Sequence, residues 1–195
     1  MISLPDMVAT RSVSPVGADV LRAIGAAGRS FLVYARPRNA GKTTLTQAVL
    51  AEVPTSVPRQ DFFGTERETR SLSAATERGY LVVGEIGHRG RPGYLAGDEV
   101  GRAFRLLGHG YTLASSLHAD TVDEVFDVLR RNGITAEAAA AVPFLIKVGV
   151  LGDPDSPSTP RVVETVYEVS GIDGDRPVAT MLYERDGRSA ATPGR

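Results

Sequence analysis

One stretch constrains the fold more than any other: SFLVYA (30–35), then RPRNAGKTT (36–44), then a helical run ending near Val53. SFLVYA is a short, continuous apolar run of the kind that forms a strand buried on both faces. In TTLTQAVLAEV (43–53), Leu45, Val49 and Leu50 share one helical face. Between strand and helix stands Gly41-Lys42-Thr43, the closing half of the phosphate-loop pattern G-x-x-x-x-G-K-[ST]. In such a loop, backbone N–H groups at the helix start converge on phosphate oxygens, and the helix dipole favours the anion. Lysine then bridges the terminal phosphates, and the hydroxyl that follows holds magnesium. Asn39, Ala40, Gly41, Lys42, Thr43 and Thr44 are therefore the nucleotide-binding candidates, with Thr43 also the metal ligand. Arg36 stands where the pattern has its first glycine, and Asn39 is a residue that adopts a left-handed backbone at modest cost. The competing reading is a helix start carrying a solvated lysine.

Two further apolar runs end in chemically useful side chains. GYLVVGEI (79–86) predicts a second buried strand with Glu85 at its C-terminal end, and YTLASSLHA (111–119) a third that ends at His118. Ligands of open α/β sheets sit beyond the C-terminal strand ends. A glutamate there can orient a water for attack on a phosphate, and a histidine can read the terminal phosphate. Taken singly, each residue is more often a solvated or packed one. Their order on successive strands after the lysine loop makes Glu85 and His118 the catalytic candidates.

The rest of the chain follows an α/β rhythm. Helices are predicted over 14–28, from Asp98 to a stop at Gly108, over TVDEVFDVLRRNG (121–133) and over TAEAAAAV (135–142). Residues 54–71, broken by Pro54, Pro58 and Gly64, read as a loop with an edge strand, and 87–98 as a glycine-rich surface loop. FLIKVGVL (144–151) is a fourth strand; VVETVYEVSG and RPVATMLYER close the chain as strands of an antiparallel ribbon. The expected layout is a flexible segment 1–13, one domain over 14–188 and a disordered tail 189–195.

Composition sets the exclusions. With no cysteine, disulfides and thiolate metal sites are ruled out, and three scattered histidines argue for no structural metal. A formal net charge of −1 gives no global attraction to nucleic acid, so Arg89, Arg91, Arg130 and Arg131 read as solvated charges. No apolar run approaches a transmembrane span and no targeting signal is visible, which points to a cytoplasmic protein.

These segments together resemble the motor domain of the secretion-type hexameric ATPases of type II and type IV secretion, pili and archaella. RPRNAGKTT is similar to that family's G-P-T-G-S-G-K-T-T loop, matching at Pro37, Gly41, Lys42, Thr43 and Thr44. VVGEI resembles its second acidic motif, with Glu85 at the catalytic glutamate. LGHG and SSLHAD look like its histidine box, with Ser116 at the usual threonine and His118 at the histidine. The resemblance covers roughly residues 14–187. It implies an α/β fold with a mainly parallel sheet flanked by helices, a RecA-like P-loop NTPase core, and a C-terminal antiparallel ribbon. It also implies ATP and Mg²⁺ as cofactors, and a homo-oligomer or secretion and pilus machinery as partners. Two of the family's loop glycines are Arg36 and Asn39 here, and its N-terminal domain has no counterpart in the chain. Asp61, Glu66, Arg67 and Arg70, with Arg89 or Arg91, are the nearest counterparts of its additional acidic and arginine residues. The departures support a second expectation: a degenerate domain, binding nucleotide weakly or not at all, that acts as an interaction or regulatory protein.

Overall fold

The computed structural model describes residues 2–87 and 93–185. Its centre is strand β1, Phe31–Tyr34, with all four residues buried. Strand periodicity explains why: Phe31 and Val33 join one apolar cluster while Leu32 and Tyr34 join the other, so both faces need cover. One layer is formed by helices α1 (Leu4–Ala9), α2 (Pro15–Ala26) and α3 (Lys42–Ala51). Strand β2 (Arg59–Asp61) and helix α4 (Glu66–Ala74) follow. The second predicted strand is two pieces, β3 (Tyr80–Val82) and β4 (Glu85–Ile86), and β4 also pairs with the short β5 (Tyr94–Leu95).

Helix α5 (Asp98–Leu107), strand β6 (Thr112–Leu117), and helices α6 (Val122–Arg131) and α7 (Ala136–Ala139) come next. Buried residues of α5, α6 and α7 belong to the second cluster, on the opposite face of β1 from α3. The chain then runs through β7 (Phe144–Val150), β8 (Arg161–Asp173) and β9 (Arg176–Glu184). Sheet order is β2-β3-β6-β1-β7-β8-β9. The first five strands are parallel, and β8 and β9 are antiparallel additions at one edge. β6 lies beside β1 in register Tyr34↔Leu117, so the ends of β1 and β6 open onto the same edge.

Three expectations are corrected. Residues 1–13 were expected to be flexible, yet Ser3 caps a helix by a capping box with Asp6, and Leu4 and Val13 are fully buried. The polar stretch 54–71 contains the expected edge strand, but its second half starts α4, capped by Thr65 and Glu68. That strand 79–86 is continuous is also wrong. At Gly84 the backbone turns aside: its N–H donates to Gly93 O at 2.8 Å, and a Cβ there would stand 3.0 Å from that oxygen. His88, Arg89, Arg91 and the expected tail 189–195 lie outside the described residues.

Candidate functional site

The phosphate-loop segment leaves β1 at Ala35 and winds into α3 through two left-handed residues, Asn39 at φ 56° and Gly41 at φ 90°. Asn39 thus adopts the backbone that its side chain tolerates better than most. Gly41 is the N-cap of α3 and no side chain caps the helix, so its first N–H groups have no protein acceptor from a cap. Ala40 is buried between the two left-handed residues. Thr43 and Thr44 lie exposed on the first turn, whereas Thr46 turns inward and donates to Lys42 O at 3.0 Å.

Lys42 does not point into solvent. Its side chain is only 7% exposed, and Nζ lies 3.6 Å from Oε2 of Glu85, itself 8% exposed. His118, at the end of β6, completes the cluster: its Nε2 is 3.3 Å from Lys42 Nζ and 3.4 Å from Glu85 Oε2. The structure thus gathers residues from the start of α3, from β4 and from just beyond β6, separated by up to 76 positions in sequence. His118 Nδ1 lies 2.9 Å from Arg36 O. A carbonyl only accepts, so Nδ1 carries the hydrogen, and in the neutral ring Nε2 faces Lys42 as an acceptor. Burial pushes the Lys42 pKa below its usual value, and the charge of Glu85 and a hydrogen bond to it recover only part of the loss. Ser116 anchors the turn before Glu85, donating from Oγ to Gly84 O at 2.9 Å.

Arg36 neither enters the loop nor blocks it. Its guanidinium turns outward to Glu124 of α6, with contacts of 2.6 and 2.7 Å, and Glu124 also accepts from Asp120 N at 2.8 Å. The carbonyl of the same residue holds His118, so Arg36 joins the loop to the start of α6. Asp61, Glu66, Arg67 and Arg70 are exposed on β2 and α4, at the far side of the sheet from β7. β2 is separated from β1 by β3 and β6, so the structure does not gather these four at Lys42.

Two features escaped the sequence reading. Arg161, the first residue of β8, reaches across to the loop and donates from Nε to Asn39 O at 3.1 Å. Nothing in its local sequence signals this, because 122 residues separate the partners. A concavity of about 690 Å³ lies away from Lys42, between the start of α6 and the ribbon, and includes Tyr34, Lys147 and Glu164. Lys147 bridges Asp120 at 3.0 Å and Glu164 at 3.3 Å there. Among the described residues, no group of three or more His, Asp or Glu forms a metal cage. Magnesium–nucleotide sites do not require one, because phosphates and water supply most of the ligands. The exposed Thr43 hydroxyl on the first turn of α3, with Glu85 across the loop, fits that sparse requirement.

No protein-family model matches the chain, and no curated protein matches it in sequence. Solved structures do match. The VirB11 ATPase of the Brucella suis type IV secretion system, in complex with sulphate, aligns with TM-score 0.57 at 16% identity. That alignment covers 85% of this chain and 54% of the VirB11 chain. The ATPase DotB of Legionella pneumophila aligns with TM-score 0.54 at 14% identity, over 77% of this chain and 48% of DotB. The chain therefore has the fold of these two ATPases, and it spans about half the length of each. No helix among the described residues is long and apolar enough to cross a membrane.

Proposed function

We propose that the chain is an ATP-binding, Mg²⁺-dependent ATPase domain related to the secretion ATPases. One observation carries the reading: the lysine of the glycine-lysine turn, the β4 glutamate and the histidine after β6 meet in one cluster, its lysine and glutamate buried. A cation whose pKa is depressed by burial, beside a single carboxylate, gains from a polyanion that adds charge and hydrogen bonds. The free N–H groups at the start of α3 would hold the phosphates, and Lys42 would move from Glu85 towards them. Glu85, released from the lysine, would accept a hydrogen bond from the attacking water. His118 would face the terminal phosphate through Nε2, donating once that nitrogen is protonated while Nδ1–H stays on Arg36 O. Thr43 would hold the magnesium ion, which when bound screens the phosphate charge. The rate gain in this scheme comes from positioning and electrostatics rather than covalent catalysis.

A second reading is favoured by the loop itself: Arg36 replaces a glycine, and Lys42 already has two partners without a nucleotide. In that reading the domain holds nucleotide weakly or not at all and serves as an interaction or regulatory protein. Thermal unfolding with millimolar Mg-ATP separates the two, since ligand at 100 times its Kd stabilises by about 2.7 kcal/mol. The ATPase reading expects a raised melting temperature for wild type and none for Lys42→Ala. It also expects ATP hydrolysis that falls by roughly 100-fold in Glu85→Gln while binding persists. Equal hydrolysis in wild type and both variants would sink the enzymatic reading.

A further inference from the structure

We propose that Arg161 is a positioning residue that holds the phosphate loop in its binding shape by fixing the left-handed backbone at Asn39. This rests on the nucleotide-site reading above. Between Arg36 and Lys42 the loop has two left-handed residues, Asn39 and Gly41; Arg161 bonds to the first and lies beside the second. Its Nε donates to the Asn39 carbonyl at 3.1 Å. Its stem lies beside Gly41, where an added Cβ would meet Arg161 Cβ at 3.5 Å and Cγ at 3.6 Å. A side chain at φ 56° pays a conformational penalty that glycine does not, and a charge-assisted hydrogen bond to the carbonyl of the same residue offsets it.

The guanidinium is itself fixed. Nη1 donates to Ser156 O at 2.9 Å and to Pro157 O at 3.3 Å, and it also contacts Thr159 O, while Nη2 donates to Pro154 O at 2.9 Å. A planar fork held by the 154–159 turn can constrain the loop, whereas a single flexible ammonium cannot. Arg161 thus acts on Ala40, Gly41 and Lys42 through the backbone, without needing to touch a phosphate.

Two measurements test this, one of them independent of nucleotide. In the ligand-free protein, ¹⁵N relaxation order parameters of Ala40 and Gly41 should fall in Arg161→Ala, while those of β1 stay constant. Arg161→Lys, which keeps the stem and loses the fork, should fall between and serves if the alanine variant does not fold. Unchanged order parameters at Ala40 and Gly41 overturn the proposal, whatever the protein does with ATP. In steady-state hydrolysis, Arg161→Ala should raise the KM for ATP about tenfold, with a much smaller change in kcat. Adding Asn39→Gly to that variant should recover most of the loss, because glycine takes the left-handed backbone unaided. A role confined to the 154–159 turn predicts no such rescue, and its absence overturns the assignment. A wild type that binds no Mg-ATP defeats the functional reading alone; the relaxation result still decides the role of Arg161.

Discussion

Lys42, at the start of α3, and Lys147, on β7, each lie beside carboxylates, and their charges respond in opposite ways. Lys42 is 7% exposed with one carboxylate at 3.6 Å, and burial prevails, so its pKa is lowered. Lys147 is 25% exposed; burial opposes its charge too, but hydrogen bonds and charges from Asp120 and Glu164 prevail and raise its pKa. Position adds to the contrast. Lys42 opens helix α3, where the positive end of the dipole disfavours a cation, whereas Lys147 lies on strand β7. Proximity to a carboxylate therefore does not define a lysine's task. Lys147 ties Asp120 to Glu164, whereas Lys42 carries a buried charge that Glu85 compensates only in part.

The strongest break of this comparison is a pair of lysine-to-methionine variants, which keep most of the stem volume and remove the charge. Lys42→Met should abolish the rise in melting temperature produced by saturating Mg-ATP, about 2.7 kcal/mol at 100 times the Kd. Lys147→Met should keep that rise in full and instead lower the stability of the free protein by about 1 kcal/mol, as expected for a partly hydrated pair. Matched losses of nucleotide response in the two variants would erase the distinction between them.

The placement of these lysines was legible to different degrees. SFLVYA followed by a glycine-lysine turn and an amphipathic helix is a local pattern, and β1, the loop and α3 follow it closely. Glu85 and His118 could be set at strand ends because apolar runs stop just before them, and parallel pairing brings those ends together. The pairing of Arg36 with Glu124 and of Arg161 with Asn39 was not legible, because long-range contacts of exposed side chains leave no periodic trace. The capping boxes Ser3–Asp6 and Thr65–Glu68 are local signals for α1 and α4, set among prolines and polar residues that by themselves suggest loops. Gly84 looked like a residue inside a strand and is instead the turn that splits it.

A smaller effect sharpens the contrast through pH. Lys42 has a folded pKa below the unfolded value of 10.5, so between those two values the unfolded chain binds more protons. Its contribution to stability therefore rises with pH in that window. Lys147 has a folded pKa above 10.5, so its contribution is fully present below 10.5 and is lost only as pH climbs through the higher folded value. Urea unfolding from about pH 8 to 10 should show wild-type stability gaining on Lys42→Met, while the gap to Lys147→Met stays flat. Parallel slopes for the two variants would mean that Glu85 compensates Lys42 as fully as Asp120 and Glu164 compensate Lys147.

The smallest expected effect belongs to Arg36→Gly, which restores the glycine of the phosphate-loop pattern. The Arg36 side chain is 64% exposed and points to Glu124, so its removal should cost less than about 1 kcal/mol of stability. The carbonyl that receives His118 Nδ1 remains, since it belongs to the backbone. If the cluster of Lys42, Glu85 and His118 sets the affinity, the variant should bind Mg-ATP within about threefold of wild type, a free-energy change well under that of a lost charged hydrogen bond. A gain of about tenfold or more would show that the side chain at position 36, although turned away in the free protein, restrains the loop when phosphate arrives. Isothermal titration of both proteins with Mg-ATP decides the matter. It would also separate a restraint at Arg36 from the compensation of Lys42 as the factor that sets the affinity.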